Sequence, residues 1–217
     1  MILDSNFWSI VCLSLLVSGT AVFLSTILGV PFGAWLALSE SRFKIALRTV
    51  VTTGMALPPV VVGLLLYILL SHSGPLAFLD WLFTPQAMIL AQIVLAIPFV
   101  VGITMTAVDA VPKELYLQVR SLGASRSQAR WTMLREARPG VLLAIAAAFG
   151  RSISEVGAVL IVGGNIQGHT RVLTTAIVLE TSKGQFGFAL ALGAALLTIA
   201  LVVNILILRL HGGKPLT

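Results

Sequence analysis

Residues 112–139, PKELYLQVRSLGASRSQARWTMLREARP, form the longest polar stretch of a chain that otherwise consists largely of apolar runs. They hold six of the fourteen lysine and arginine residues, and the segments on both sides are apolar enough to cross a bilayer. Pro112 suits a first helical position and Gly123 supplies a break, while Ser125 followed by Gln128 matches a capping box. This pattern predicts two short helices that meet at a bend on the membrane surface. The charge by itself favours a basic loop that only sets the topology.

The composition of the whole chain is that of an integral membrane protein. Of its 217 residues, 58% are hydrophobic and 10% are charged, and the mean hydropathy is +1.02. The net charge of +6 would suit nucleic acid, but the basic residues stand at the ends of apolar runs, which is the pattern that orients membrane segments. The sequence therefore predicts one all-α, polytopic membrane domain over residues 1–217. It is expected to contact membrane lipid and not to bind nucleic acid.

Five apolar segments are predicted to span the membrane: residues 9–38, 49–70, 87–108, 139–162 and 186–208. The first would be ~45 Å long as one helix, against a hydrocarbon core of ~30 Å, so we expect it to tilt, protrude or kink at Pro31. Gly29 and Gly33 have the spacing of close helix approach, either within the chain or at a dimer seam. The second segment is interrupted by Pro58-Pro59, and the third contains the polar Gln92.

The distribution of basic residues predicts the orientation. If the polar stretch is cytoplasmic, that side holds three basic residues in 42–48, six in the stretch and two at the C-terminus, which makes 11 of the 14. The other side holds only Arg171 and Lys183, and Arg151 lies within the fourth span. The positive-inside rule then predicts a multi-pass protein of the cell membrane with its N-terminus outside and its C-terminus in the cytoplasm.

The sequence offers little for catalysis. Its three histidines are scattered, and it has neither an HExxH pattern nor a glycine-rich phosphate loop with its lysine. None of the eight acidic residues forms a cluster that would hold magnesium, so we predict no metal site and no cofactor. A membrane transferase would have to use Arg151, Glu155 and Asn165, and we expect instead that the chain is not an enzyme.

Several motifs resemble those of permease subunits of ABC importers. They are GVPFGAWLA at 29–37, LPPVVVGLLLY at 57–67, the LGAS bend at 122–125 and AFGRSISEVGAVLIVGGNIQGHTRVLTTAI at 148–177. The last block is the most specific and is similar to the molybdate and tungstate branch. The resemblance implies a type I ABC importer permease fold and transport of an oxyanion, tungstate first and molybdate next. Another small anion such as sulfate, or a membrane assembly subunit that transports nothing, are the alternatives.

The resemblance also implies partners: a second copy of the chain, a separate cytoplasmic ATP-binding subunit that hydrolyses ATP, and an extracytoplasmic oxyanion-binding protein. Residues 112–138 would then be the coupling loop that docks on the ATPase. The residues assigned to this role are Glu114, Leu122, Gly123, Ala124, Ser125 and Arg126.

The fourth span carries the two ionisable residues that lie within a predicted span. Arg151 follows Pro139 by twelve residues, which places it ~18 Å into the bilayer, where an unpaired charge is costly. Glu155 is four residues further and would share its helix face, so we expect an ion pair, which either only neutralises both groups or also lines a path for a dianion. The candidate path residues are Arg151, Ser152, Ser154, Glu155 and Asn165.

Overall fold

The structure, a computed structural model, describes residues 5–39 and 42–209. This part of the chain folds into ten α-helices joined by turns and one short 3-10 helix, Ala77–Leu79. Lys214, which was counted on the cytoplasmic side above, lies outside the described residues. The α-helices are α1 (Ser5–Leu38), α2 (Lys44–Met55), α3 (Pro59–Leu70), α4 (Pro85–Asp109), α5 (Lys113–Ser121), α6 (Arg126–Glu136), α7 (Arg138–Ile153), α8 (Gly157–Gly163), α9 (Leu173–Ser182) and α10 (Phe186–Arg209).

Within residues 5–39 and 42–209, three helices are long and apolar enough to cross a membrane, and they lie within α1, α4 and α10. Two further pairs pass the same test together but are bent, α2 with α3 by 98° and α7 with α8 by 55°. Counting each bent pair as one span gives five candidate spans, by length and composition. The all-α prediction is confirmed for the described residues, while the predicted second and fourth spans are each divided into two helices.

The centre of the bundle is the contact between α1 and α4. α1 continues as a helix through Pro31. Gly29 and Gly33 face α4, where an added Cβ would lie 2.8 Å from the Val100 side chain and 2.7 Å from the Val101 carbonyl oxygen, respectively. The glycine pair therefore serves close packing within the chain.

The proline pair explains the bend in the second span. Proline lacks an amide hydrogen and forces the preceding residue out of the α-helical region. α2 accordingly ends at Met55, Pro58 is extended with φ −66° and ψ 121°, and Pro59 begins α3. α3 packs closely on α8, since a Cβ added at Gly63 would lie 2.7 Å from Cα of Ala158.

The two ends of α1 mark the two ends of the bundle. Near its N-terminal end, Asn6 lines a cleft together with residues 167–168 and the turn between α9 and α10. Near its C-terminal end, Leu38 lines a cleft together with Lys44 and Lys113. The segment that holds Arg171 and Lys183, which is predicted to be outside, thus lies at one end, and the polar stretch lies at the other.

Candidate coupling loop and translocation site

The polar stretch folds as two helices, α5 and α6, joined by a tight bend. Ser125 begins α6 with a complete capping box: its hydroxyl accepts a hydrogen bond from the amide of Gln128 at 3.2 Å, and the Gln128 side chain accepts one from the amide of Ser125 at 2.7 Å. These bonds satisfy amides that the first turn of a helix leaves without partners. The helix-bend-helix prediction is therefore confirmed.

The bend itself depends on Gly123. Its φ is +89°, a left-handed conformation that side chains strongly disfavour. The Arg120 guanidinium donates a hydrogen bond to the carbonyl of Ala124 and so closes the turn. Leu122, at the tip, is 86% exposed, and a Cβ added at Gly123 would meet no atom within 4 Å. The bend protrudes and is not covered by the described part of this chain, so it can contact another protein.

The protrusion is firmly attached to the bundle. Ala129 and Met133 of α6 are buried, Met133 in a cluster with residues of α1 and α4. Ser125 and Arg126 lie at the bend. Glu114 is exposed in the first turn of α5, eight residues before Leu122 and thus ~12 Å away along the helix. The structure therefore brings the predicted coupling residues together at the bend, with Glu114 apart from them.

The fourth span is broken between Ile153 and Gly157. The Ser154 hydroxyl donates to the carbonyl of Gly150 at 2.8 Å, and the carbonyl of Glu155 accepts from the Thr174 hydroxyl at 2.8 Å. A carboxylate oxygen of Glu155 accepts from the amide of Ala158 at 3.2 Å, within the first turn of α8. The break is thus held both by local bonds and by α9.

The predicted ion pair between Arg151 and Glu155 is not formed, although both residues are described. The expectation assumed a continuous helix, and the helix ends at Ile153, between the two side chains. Glu155 is 7% exposed, and its carboxylate instead accepts from an amide in the first turn of α8. Arg151 instead places its guanidinium carbon 5.2 Å from the centre of the Phe99 ring on α4, and its buried Nε has no hydrogen-bond partner.

Gln92 is a part of this region that sequence reasoning did not assign to the site. It lies on α4, is 3% exposed, and its Nε2 donates to the carbonyl of Ser152 at 2.9 Å. Its buried Oε1 has no partner in the structure. The sequence did show a polar residue in an apolar span, which was the available signal, but its contact with Ser152 joins positions 60 residues apart.

Asn165 does not join the residues at the break. It follows α8, whose seven residues separate it from Glu155 by ~10 Å along the helix. Its φ is +53°, and its side-chain oxygen accepts from Nε of Arg171 at 3.2 Å. Thr170 fixes the same loop by donating to the carbonyl of Gly163. The Gly-Asn-Ile motif therefore builds a rigid loop at the end of the bundle where α1 begins.

A polar cleft of about 260 Å³ lies beside this loop. Arg171 lines it together with Glu180 of α9 and Lys183, which form a salt bridge of 2.9 Å. The sequence pattern indicates only the side of the membrane for Arg171 and Lys183, and gives no sign that Glu180 is buried beside them. The structure shows that both basic residues are held in defined positions by polar partners.

A helical membrane bundle with a broken, charged span and a capped helix-bend-helix at one end is the architecture of a transport permease. Residues 29–212 match the family described as "Binding-protein-dependent transport system inner membrane component", and the chain belongs to that family. It is a multi-pass membrane transport component. The predicted membership among the permeases of ABC importers is confirmed.

Three relatives extend over nearly the whole chain. The chain is 44% identical to a "Probable anion ABC transporter permease protein" of Haloferax volcanii, over 95% of this chain and 91% of the relative. It is 39% identical to the tungstate uptake system permease protein TupB of Peptoclostridium acidaminophilum, over 96% and 91%. It is 34% identical to the molybdenum transport system permease protein ModB of Escherichia coli K12, over 94% of each.

A solved structure shows the same fold. In the crystal structure of a bacterial alginate ABC transporter, in complex with an alginate pentasaccharide-bound periplasmic protein, one chain matches this one with a TM-score of 0.72 at 20% identity. The match covers 94% of this chain and 77% of the other. The predicted type I ABC importer permease fold is confirmed.

Proposed function

We propose that this chain is the permease subunit of an ATP-driven importer that carries tungstate, with molybdate as the next candidate. The relatives at 44%, 39% and 34% identity are described as permeases for an anion, tungstate and molybdenum, respectively. All three substrate descriptions fit a small oxyanion better than a cation or an apolar solute. The family includes components that depend on a binding protein, which supports delivery of the oxyanion from outside the membrane.

Arg151 carries the proposal. Its guanidinium lies within the fourth span, contacts the face of Phe99 and is not neutralised by Glu155. A tetrahedral dianion that leaves water needs positive potential and hydrogen-bond donors, and an arginine supplies both. One cation of this kind attracts a dianion without surrounding it, so release remains possible.

The other predicted path residues have different parts in the proposal. Ser152 lies next to Arg151 and its carbonyl is held by Gln92, which sets the position of the break. The Ser154 hydroxyl donates to carbonyls of its own helix, so its proton is not available to an anion in this conformation. Glu155 holds the start of α8, and Asn165 with Arg171 forms the loop at the outer end.

The test is tungstate uptake by the complete transporter in proteoliposomes. The variants are Arg151→Met, Glu155→Gln and the double variant, with ATP hydrolysis measured beside uptake. Glutamine retains an acceptor for the amide of Ala158, so Glu155→Gln is the matched control and should transport normally. Loss of charge-assisted hydrogen bonds worth about 1.5–3 kcal/mol should lower uptake roughly ten- to hundredfold in both variants that lack Arg151. Full uptake by the double variant would remove Arg151 from the path.

The proposal includes a separate ATP-binding subunit that docks on the bend at Gly123. The exposed Leu122 and the capped start of α6 present a rigid, protruding surface suited to a groove on a partner. The distribution of basic residues supports placing this end in the cytoplasm and the start of α1 outside. The binding protein would then dock near the cleft beside Arg171.

We further propose that two copies form the pathway between them. α3 packs on the broken span with one face and exposes Leu64, Leu65 and Ile68 elsewhere on its surface, and α10 is also apolar and largely exposed. Single cysteines along α3, the fourth span and α10, in a Cys12→Ser background, should cross-link with helical periodicity between copies. Uptake by a monomer would refute the dimer.

A further inference from the structure

An open apolar groove of about 510 Å³ lies between α1, α6 and α7. Its walls include Ile27 and Pro31 of α1, Leu134 of α6 and Val141 of α7. Ile27 is 53% exposed, and its neighbour Leu28 is exposed as well, so the groove opens onto the outer apolar face of α1. Its size lies in the range of roughly 300–1,000 Å³ that is typical of small-molecule sites.

One end of the groove is basic. Arg135 of α6 and Arg138 of α7 line it, and both side chains are exposed. Trp131, also in the lining, is 66% exposed. Apolar walls with arginine and tryptophan at one end match a molecule that has an apolar tail and an anionic head.

The position along the helices places this basic end at the membrane surface. From Ser5 to Pro31, α1 rises ~39 Å, which exceeds the ~30 Å hydrocarbon core. Arg138 is the first residue of α7, at the point where the chain leaves the polar stretch for the fourth span. The arginines therefore lie at the level of the lipid headgroups, on the side of the coupling loop.

We propose that this groove binds one anionic phospholipid of the leaflet that faces the coupling loop. The headgroup phosphate contacts Arg135 and Arg138, and an acyl chain lies along Ile27 and Val141. A zwitterionic lipid would bring its ammonium group next to the two guanidinium groups, so the site prefers a net negative headgroup. Because the groove joins α1 to α6, an occupied site holds the helix that follows the bend against the bundle.

The experiment measures lipid binding by the complete transporter. The protein is reconstituted in nanodiscs of phosphatidylcholine with graded amounts of phosphatidylglycerol, and native mass spectrometry counts the phosphatidylglycerol that stays bound to the transporter. Each basic residue near the membrane surface changes the affinity for an anionic lipid by about fivefold. The double variant Arg135→Gln with Arg138→Gln should therefore weaken phosphatidylglycerol binding roughly thirtyfold. Arg135→Gln alone should weaken it about fivefold, which keeps the test valid if the double variant folds poorly.

Two further variants distinguish binding in the groove from general attraction of anionic lipid to basic residues. Ile27→Trp fills the apolar part of the groove without changing charge and should also abolish specific binding. Arg130→Gln removes an exposed arginine of α6 that does not line the groove, and it should bind phosphatidylglycerol like the wild type. Equal affinity in the wild type and Arg135→Gln would overturn the proposal. So would a cysteine at Ile27 that cross-links to the ATPase or to a second copy regardless of lipid composition.

Discussion

Replacement of Gly33 by alanine should force α1 away from α4. The new Cβ would lie 2.7 Å from the carbonyl oxygen of Val101 and 3.1 Å from Cβ of Thr104. Ordinary contact begins at 3.4 Å, so α1 would have to move by about 0.7 Å, the difference between 3.4 and 2.7. The obstacle is the backbone of a central helix, which cannot rotate aside as a side chain would. Ala34 and Leu36, buried beside the contact, would lose packing with the same movement.

The expected loss can be estimated from two opposing effects. Overpacking of this kind costs about 1–3 kcal/mol, whereas alanine in place of glycine within a helix gains about 0.5–1 kcal/mol. The net loss should be about 1–2 kcal/mol in the free energy of unfolding. For a chain of this size, that corresponds to a melting temperature lowered by roughly 2–8 °C.

Thermal unfolding of the purified permease in nanodiscs tests this estimate, and α1 itself supplies the controls. A Cβ at Gly19 would meet nothing within 4 Å, so Gly19→Ala should leave the melting temperature unchanged or raise it. Gly29→Ala should be intermediate, because its nearest obstacle is the Val100 side chain at 2.8 Å. If Gly33→Ala melts like Gly19→Ala, the packing argument is refuted.

Three further predictions concern the loop and the break. Gly123→Leu should prevent co-purification of the ATPase without preventing membrane insertion. Gly184 has a similar φ of +75° at the opposite end of the bundle, so Gly184→Leu should still co-purify with the ATPase. Equal association of the two variants with the ATPase would contradict a docking role for the bend. Glu155→Ala should lower the melting temperature, because an amide of α8 loses its acceptor at a cost of about 1–3 kcal/mol. Glu155→Gln keeps an acceptor and should not lower it. Wild-type stability of the alanine variant would show that this hydrogen bond does not stabilise α8. Gln92→Leu should change the free energy of unfolding by only about 1 kcal/mol, because one polar atom of Gln92 is already unpaired. It should nevertheless reduce tungstate uptake several-fold, because the carbonyl of Ser152 loses its hydrogen-bond donor. Normal uptake would remove Gln92 from the site.

The features that sequence reasoning predicted well are those determined by neighbouring residues. The capping box needs only Ser125 and Gln128, and the bend needs only a glycine in the left-handed region between two helices. The bend at Pro58-Pro59 likewise follows from the missing amide hydrogens, although its angle of 98° does not. These interactions span a few residues, so the pattern of residue types suffices to predict them.

The site in the fourth span was predicted less well because its geometry depends on distant residues. The spacing of Arg151 and Glu155 indicates a shared helix face only while the helix continues. Thr174 holds the carbonyl of Glu155 from α9, and Phe99 of α4 takes the place of the expected carboxylate partner. No rule of local spacing connects positions 151 and 99.

The sequence by itself determined that the chain is an all-α membrane protein, because hydropathy, basic-residue distribution and local capping act along the chain, and its motifs resemble those of ABC importer permeases. Only the tertiary structure decided which charges are neutralised. It separated Arg151 from Glu155, placed Phe99 against Arg151, and brought Arg135 and Arg138 to one groove with α1. The physical reason is that an electrostatic interaction depends on the distance and burial of two groups in space, and these are set by how the helices break and pack.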